Sequence, residues 1–301
     1  MTGIDRRALL LLAAALATAL PARAAGSLET LSIAVPMLPE PIRCKVYLPA
    51  GYADEPSRRY PFALLLHGRG DRMDAWSHVI PLLDRMIAAG ELPPLIAAMP
   101  DAPWSRRGGY YVDSAHEQGS PVESALLDGL LPALEARYRT IARREGRAVG
   151  GYSMGGYGAL HYALARPELF GAALVMSPAV YTPLPPAGSS TREFGGFGRG
   201  KELFVDEIYR RHNYPALLDK RAGKGQVLRL FIAAGDDEYK NPDPAEAMND
   251  IDMEAHLLFS RLSRAPGVRT ELRILDGGHD WPVWGPAFSE GLRWIARELA
   301  W

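Results

Sequence analysis

The sequence predicts an α/β fold with a mainly parallel central sheet and helices on both of its faces. Short apolar segments alternate along the chain with amphipathic stretches, as expected when each strand is followed by a crossover helix. Several of these segments are apolar at consecutive positions, which is typical of parallel strands that are buried on both faces. With 301 residues, of which 48% are hydrophobic and 23% charged, the chain can bury a substantial core.

Apolar runs and the turn residues that end them identify the strand candidates. The segment Phe62–Leu66 is apolar throughout and ends at His67-Gly68, whereas Ile42–Leu48 alternates apolar and polar residues as a half-buried strand does. On this alternating segment, Cys44 is expected to be a small core residue. Further strands are predicted at 95–99, 148–149, 172–176, 227–234 and 272–275.

Amphipathic stretches between these segments predict helices at 76–89, 122–138, 155–165, 245–262 and 288–299. No internal repeat or linker divides the chain, which predicts a single domain over residues 25–301. The segment 181–201 departs from the alternation because its prolines and glycines oppose regular structure. Long loops in compact domains are usually functional or disordered, and this one is expected to form a lid-like loop over the site.

The overall charge and the cysteine content exclude several functional classes. The 34 Lys and Arg residues nearly balance the 35 Asp and Glu residues, so a nucleic-acid partner, which requires a basic face, is not expected. Cys44 is the single cysteine, which excludes an intrachain disulfide and a cysteine metal cage. No cofactor is predicted.

Residues 1–24 have the features of a secretory signal peptide. Arg6 and Arg7 precede an apolar run over 8–20, and the segment 22–24 is an Ala-Arg-Ala cleavage site. The run is shorter than the roughly 20 residues that a membrane span needs. We therefore expect an exported protein, periplasmic or secreted, with no stable membrane insertion after signal removal. The arginine pair also resembles a twin-arginine signal, and both this route and Sec export remain open.

The strongest chemical signal is Gly151-Tyr152-Ser153-Met154-Gly155, which matches the pattern G-x-S-x-G. An apolar segment precedes the pattern and a helix-forming run follows it, as a nucleophile elbow requires. Ser153 is therefore the candidate nucleophile.

A nucleophilic serine needs a base, because its hydroxyl group is unreactive at its own pKa. His279 follows the last predicted strand and precedes the last predicted helix, which places it at the same edge of the sheet as Ser153. His161 lies on the helix after the elbow and is expected to point away from the site. The remaining histidines outside the 67–70 segment, His212 among them, lack a companion motif.

The acid that orients the base should follow the next-to-last strand. That strand ends in Gly235, and three carboxylates come directly after it. The usual spacing of three residues after the glycine favours Glu238, with Asp237 as the second candidate and Asp236 still open.

An oxyanion hole needs two backbone N–H groups near the nucleophile. One candidate is the N–H group of Met154, the residue after Ser153. The second is expected from the glycine-rich segment 67–70, with Arg69 as the first candidate and Gly70 as the next. Trp281 and Trp284 follow the candidate base closely and could line the pocket.

These segments together resemble the putative esterase (esterase D-like) family of the α/β-hydrolase superfamily. The resemblance rests on Leu65-Leu66-His67-Gly68, on the segment from Gly151 to Ala159, and on Gly277-Gly278-His279-Asp280-Trp281. It implies an α/β-hydrolase fold and a Ser-His-acid triad. Most members of this family have Asp at the position of Glu238, so here the sequence departs from the family.

The function expected from these features is that of a serine esterase, which hydrolyses a small-molecule or carbohydrate-linked carboxylic ester through an acyl-enzyme. Three alternatives remain: an acyltransferase that passes the acyl group to a sugar or lipid alcohol, a serine peptidase, and a non-enzymatic binding protein. A metal site is not predicted. Five acidic residues that follow Glu238 in the sequence lack the spacing of a calcium-binding loop and predict a solvated helix face: Asp243, Glu246, Asp250, Asp252 and Glu254.

Overall fold

The computed structural model describes residues 25–221, 225–240 and 250–301, so the predicted signal peptide lies outside the described residues. The strands are β1 (Ser27–Ile33), β2 (Ile42–Leu48), β3 (Phe62–Leu66), β4 (Ile96–Pro100), β5 (Ala115–His116), β6 (Arg147–Tyr152), β7 (Ala172–Met176), β8 (Arg199–Gly200), β9 (Leu228–Gly235) and β10 (Val268–Leu275). The helices are α1 (Ile80–Ala88), α2 (Val122–Ser124), α3 (Leu131–Arg137), α4 (Met154–Ala165), α5 (Asp206–His212), α6 (Tyr214–Arg221), α7 (Ile251–Leu262) and α8 (Trp281–Leu299). A 3-10 helix, Met73–Val79, leads into α1, and a π-helical segment, Ala125–Leu130, joins α2 to α3.

Eight of the strands form one sheet in the order β1-β2-β4-β3-β6-β7-β9-β10. The strands from β4 to β10 in this order are parallel, whereas β2 is antiparallel to both of its neighbours. The predicted α/β class with a mainly parallel sheet is therefore confirmed. The short strands β5 and β8 pair separately.

The pairing register brings the carboxyl ends of the central strands to one edge of the sheet. Tyr152 at the end of β6 pairs with Met176 at the end of β7. Gly235 at the end of β9 likewise pairs with Leu275 at the end of β10. The segments that carry the candidate nucleophile, acid and base all leave the sheet at this edge, where ligands bind in open α/β sheets.

Two hydrophobic layers cover the two faces of the sheet. In β9, Leu230 and Ile232 join the layer that contains α4, whereas Phe231 and Ala233 join the layer that contains α8. This alternation follows from the two-residue period of a strand. Cys44 is fully buried in the first layer, which confirms its predicted role in the core.

The structure adds elements that the sequence pattern does not predict, namely β1, α5, α6 and the two-residue strands β5 and β8. Of these, β8 lies within the segment 181–201, where no regular element is expected from the composition. It also extends β10 to begin at Val268 rather than at residue 272. The added residues include Arg269 and Glu271 on an edge strand, where half-exposed charged side chains conceal the apolar pattern. No helix among the described residues is both long and apolar enough to cross a membrane.

Candidate active site

Ser153 occupies the sharp turn between β6 and α4. Its backbone has φ 55° and ψ −122°, a conformation that non-glycine residues rarely adopt. Its N–H donates to the carbonyl oxygen of Met176 at 2.9 Å, and its own carbonyl oxygen accepts from the N–H of Ala179 at 3.0 Å. These bonds to the end of β7 and to the segment that follows it hold the strained turn in place.

The glycines of the G-x-S-x-G pattern are required by the close approach of neighbouring backbone. A Cβ atom added to Gly155 would lie 2.1 Å from the carbonyl oxygen of Leu66, at the end of β3. One added to Gly151 would lie 2.2 Å from the carbonyl oxygen of Gly155. The elbow and the end of β3 are therefore in direct backbone contact, which side chains at these positions would prevent.

His279 lies in the loop between β10 and α8 and contacts the carboxylate of Glu238. Its Nδ1 is 2.7 Å from Glu238 Oε2, and the glutamate side chain is fully buried. The other carboxylate oxygen, Oε1, accepts a hydrogen bond from the N–H of Gly235 at 2.9 Å and another from the Ser177 hydroxyl group. The acid is thus held by three donors at the end of β9.

The carboxylate in hydrogen-bond contact with His279 is that of Glu238, which was the first choice from spacing. Asp236 instead accepts a hydrogen bond from the N–H of Gly277 at 3.0 Å, and the N–H of Asp237 donates to the carbonyl oxygen of Gly277 at 2.9 Å. These two bonds fix the loop that carries the histidine.

Sequence reasoning missed Ser177, which follows β7. Its hydroxyl group donates to Glu238 and accepts a hydrogen bond from Trp284 Nε1 at 2.9 Å. The Trp284 indole also lies edge-on to His279, with ring centroids 5.1 Å apart, and stacks on Tyr152 at 4.3 Å. The only sequence signal for Ser177 is its place after an apolar run at the carboxyl edge of the sheet.

Ser153 and His279 both line a cavity of about 130 Å³. Tyr181 and Ser190 of the predicted lid-like loop contribute to its wall. The other lining residues are Gly68, Arg69, Asp71, Tyr110, Tyr152, Ala179, Ile251 and Trp284. A larger cavity of about 730 Å³, lined in part by Asp84 and Arg293, shares none of these described residues, so size alone does not identify the site.

Of the three oxyanion-hole candidates, Met154 directly follows the nucleophile and Arg69 lines the same cavity. Met154 is the first residue of α4, and the first N–H groups of a helix have no acceptor within the helix. The N–H of Gly70, the alternative to Arg69, donates to the carbonyl oxygen of Arg107 at 3.0 Å. This N–H group is therefore already engaged in another hydrogen bond.

Buried His67 fixes the start of the segment that carries Arg69. Its Nδ1 is 2.8 Å from the carbonyl oxygen of Gly68, and its Nε2 accepts a hydrogen bond from the N–H of Ala102 at 3.0 Å. Since a carbonyl oxygen only accepts, Nδ1 carries the proton and the ring is neutral. Burial lowers the pKa of His67 and so favours this neutral form.

The acidic residues weighed as metal ligands have structural partners where they are described. Asp250 caps α7 by accepting the N–H of Met253, and Asp252 pairs with His256. Glu254 accepts the N–H of Thr182 at 3.0 Å. Two further members, Asp243 and Glu246, lie outside the described residues.

The protein is similar in sequence to known esterases. A family model described as "Putative esterase" matches residues 36–295. Esterase Rv1288 of Mycobacterium tuberculosis is 31% identical over 251 residues, which are 78% of this chain and 51% of that relative. An endo-1,4-beta-xylanase/feruloyl esterase of Xylanibacter ruminicola is 31% identical over 151 residues, 46% of this chain and 20% of the relative. The chain thus spans about half the length of the first of these relatives.

Solved structures agree on the fold. A ferulic acid esterase superposes with a TM-score of 0.74 at 24% identity, over 91% of this chain and 99% of the other. An S-formylglutathione hydrolase from Staphylococcus aureus superposes with a TM-score of 0.65 at 17% identity, over 90% of this chain and 99% of the other. The family match covers most of the chain, and these neighbours share its architecture. The chain therefore belongs to the Putative esterase family and has the α/β-hydrolase fold.

Proposed function

We propose that this protein is a serine esterase in which Ser153, His279 and Glu238 form the catalytic triad. The observation that carries the proposal is the 2.7 Å contact between His279 Nδ1 and Glu238 Oε2, on the wall of the cavity that contains Ser153. Because the carboxylate accepts the proton on Nδ1, Nε2 is left unprotonated and able to act as a base. Membership of an esterase family supports the same reaction.

The reaction proceeds by acyl transfer to the enzyme and then to water. Ser153 Oγ attacks the ester carbonyl carbon while its proton moves to His279 Nε2, and a tetrahedral oxyanion forms. The imidazolium then gives this proton to the leaving alcohol as the ester C–O bond breaks. Water attacks the acyl-enzyme with His279 again as base, which releases the carboxylic acid and restores Ser153. Glu238 stabilises the imidazolium in both steps.

The oxyanion is stabilised by the N–H groups of Met154 and Arg69. The N-terminus of α4 directs its partial positive charge toward the same point, because the peptide dipoles of a helix add along its axis. The strained turn at Ser153 supports this role, since it presents the hydroxyl group beside the first N–H of the helix.

We extend the proposal to esters with a flat or apolar acyl group, attached to a small molecule or to a carbohydrate. The aromatic side chains Tyr110, Tyr152 and Tyr181 line the cavity next to Ser153. Aromatic walls favour flat or apolar acyl groups. The feruloyl and ferulic acid esterases among the similar proteins are consistent with such substrates.

Hydrolysis of p-nitrophenyl acetate and labelling by a fluorophosphonate test the assignment. Ser153→Ala should lose the label and at least about 1,000-fold in kcat/KM, since the nucleophile is removed. Full activity of this variant would overturn the proposal. A panel of acetyl, butyryl and feruloyl esters, with and without an acceptor alcohol, then defines the acyl group and separates hydrolysis from transfer.

We also propose that the protein is exported after removal of residues 1–24. The arginine pair, the apolar run and the Ala-Arg-Ala segment support this proposal. N-terminal sequencing of the protein recovered from a bacterial periplasm or medium should find Ala25 first, whereas an intact Met1 would contradict it.

A further inference from the structure

A group of side chains that could bind a metal ion lies on the helices α2, α4 and α5. Glu123 on α2, His161 on α4 and His212 at the end of α5 place their ligand atoms within 4.8 Å of one another. Among the residues that the structure describes, this is the one group of three or more His, Cys, Asp or Glu side chains with this arrangement. His161 lies two helical turns from Ser153, about 12 Å along α4, so the group is separate from the proposed triad.

The contacts of His161 require a proton or a metal ion between its ring and Glu123. Its Nδ1 is 3.0 Å from the backbone carbonyl oxygen of His212, and its Nε2 is 2.8 Å from Glu123 Oε2. Because the carbonyl oxygen only accepts, Nδ1 carries a proton, and a neutral imidazole then has none on Nε2. The Nε2 lone pair would face a carboxylate oxygen unless a second proton or a metal ion lies there.

The bond on Nδ1 is the one that metal-ligating histidines usually make. Such a histidine donates its second ring N–H to a backbone carbonyl or a carboxylate, which fixes the tautomer and the ring orientation. Tyr157 adds to this support, because its ring is nearly parallel to that of His161 and its hydroxyl group donates to the His212 carbonyl oxygen at 2.9 Å. The buried His161 imidazole is therefore held with Nε2 directed at Glu123.

The third side chain completes a ligand set of two imidazoles and one carboxylate. The ring centroids of His161 and His212 are 5.4 Å apart, and both line a cavity of about 260 Å³ that is open to solvent. Two histidines, one carboxylate and an open fourth position are a common arrangement for Zn²⁺. Of the nearby cations, Arg211 pairs with Glu207, and Arg166 pairs with Asp128 and Glu168. Lys220 also lines the cavity.

We propose that Glu123, His161 and His212 bind one divalent transition-metal ion of the zinc type. The ion would join α2, α4 and α5 at the end of α4 remote from Ser153. Sequence analysis predicts no metal here because the ligands are 38 and 51 residues apart and share no local motif.

The test uses the full chain after treatment with a chelator and dialysis. Titration calorimetry with ZnCl₂ should give one equivalent bound with micromolar or tighter affinity, and CoCl₂ should give the visible absorption of a tetrahedral site. A hundredfold excess over Kd should raise the Tm by about 4 °C or more. These readouts are independent of esterase activity, so they separate this proposal from the proposed function.

Three variants locate the ion. Glu123→Gln and His212→Gln should each weaken Zn²⁺ binding at least about tenfold and reduce the Tm shift. His256→Gln is the matched control, because it removes a histidine that pairs with a carboxylate on the exposed face of α7 at 3.0 Å. Its binding should equal that of the wild type. Absence of stoichiometric binding by the wild type, or equal binding by all three variants, would overturn the proposal and leave a proton shared between His161 Nε2 and Glu123.

Discussion

Trp284 Nε1 donates a hydrogen bond of 2.9 Å to Ser177 Oγ, and through this serine the indole reaches the buried carboxylate of Glu238. The same indole lines the cavity beside His279. One side chain is therefore linked to both members of the proposed acid–base pair, to Glu238 through the hydroxyl group of Ser177 and to His279 by ring packing.

Ser177 should act as a positioning residue for the acid. Ser177→Ala removes one of the donors to Glu238 Oε1, so the carboxylate is held less firmly against His279. We expect kcat for p-nitrophenyl acetate to fall about 5- to 50-fold with KM nearly unchanged, because the serine does not line the cavity. Ser289→Ala is the control, since this serine bonds only within α8, to the Gly285 carbonyl oxygen. Equal rates for the two variants would contradict the role.

The choice of acid is tested by a pair of amide substitutions. Glu238→Gln keeps the shape of the side chain but removes the charge that stabilises the imidazolium, and kcat should fall about 100- to 10,000-fold. Asp237→Asn should stay within a few fold of the wild type, because the hydrogen bond that His279 Nδ1 donates is accepted by Glu238. Loss of activity in the second variant alone would identify Asp237 as the acid.

Gly155 should tolerate no side chain. In Gly155→Ala the new Cβ would meet the Leu66 carbonyl oxygen at 2.1 Å, so β3 and the elbow must separate. We expect the free energy of unfolding in urea to fall by at least about 2 kcal/mol, in the range of overpacked cores. Gly188→Ala is the matched control, because nothing lies within 4 Å of its added Cβ, and it should change stability little. Similar values for both would show that the elbow relaxes freely.

Cys44 should be unreactive toward thiol reagents in the folded protein. Burial raises the pKa of its thiol to about 12, so almost no thiolate is present at pH 8. With Ellman's reagent, the native protein should release less than about 0.1 equivalents of thionitrobenzoate, because only a thiolate attacks the reagent. In guanidinium chloride the single cysteine should react completely. Rapid labelling without denaturant would mean that β2 opens readily.

Stability should depend on pH through Glu254. Burial raises the pKa of this carboxyl group from 4.5 to about 7, so the folded state binds its proton more tightly than the unfolded state does. Its contribution is fully present below pH 4.5 and is lost as the pH rises through 7. Glu254→Gln removes this dependence. Because the group is partly exposed, we expect a gain of only about 1 kcal/mol over the wild type at pH 8, measured by urea unfolding.

The interior of the fold could be predicted from the sequence because burial on both faces makes a strand apolar at every position. The predicted strand at 172–176 matches β7 residue for residue. The edge strand β1 could not be found in this way, since most of its side chains are exposed and its pattern carries no continuous apolar run. Strand pairing, which the local pattern does not encode, is what orders this segment.

In the candidate site, too, local sequence patterns predict some residues and miss others. Ser153 and His279 stand in segments whose local patterns are distinctive, and the three-residue spacing from Gly235 indicates Glu238. Ser177 contacts this acid from 61 residues away, and no local motif marks it. A contact between distant segments depends on the order of the strands in the sheet. The sequence pattern predicts the fold class but not this order.

The loop 181–201 shapes the cavity but takes no part in the hydrogen bonds described between Ser177, Glu238 and His279. Tyr181 and Ser190 enter the wall, whereas the acid and base are held by segments that follow β7, β9 and β10. Substitutions in this loop are therefore expected to alter the shape of the cavity without moving the side chains of the proposed triad. Under the proposed function, substrate preference and bond-breaking chemistry lie on separate segments, so the first can be re-engineered while the second is kept.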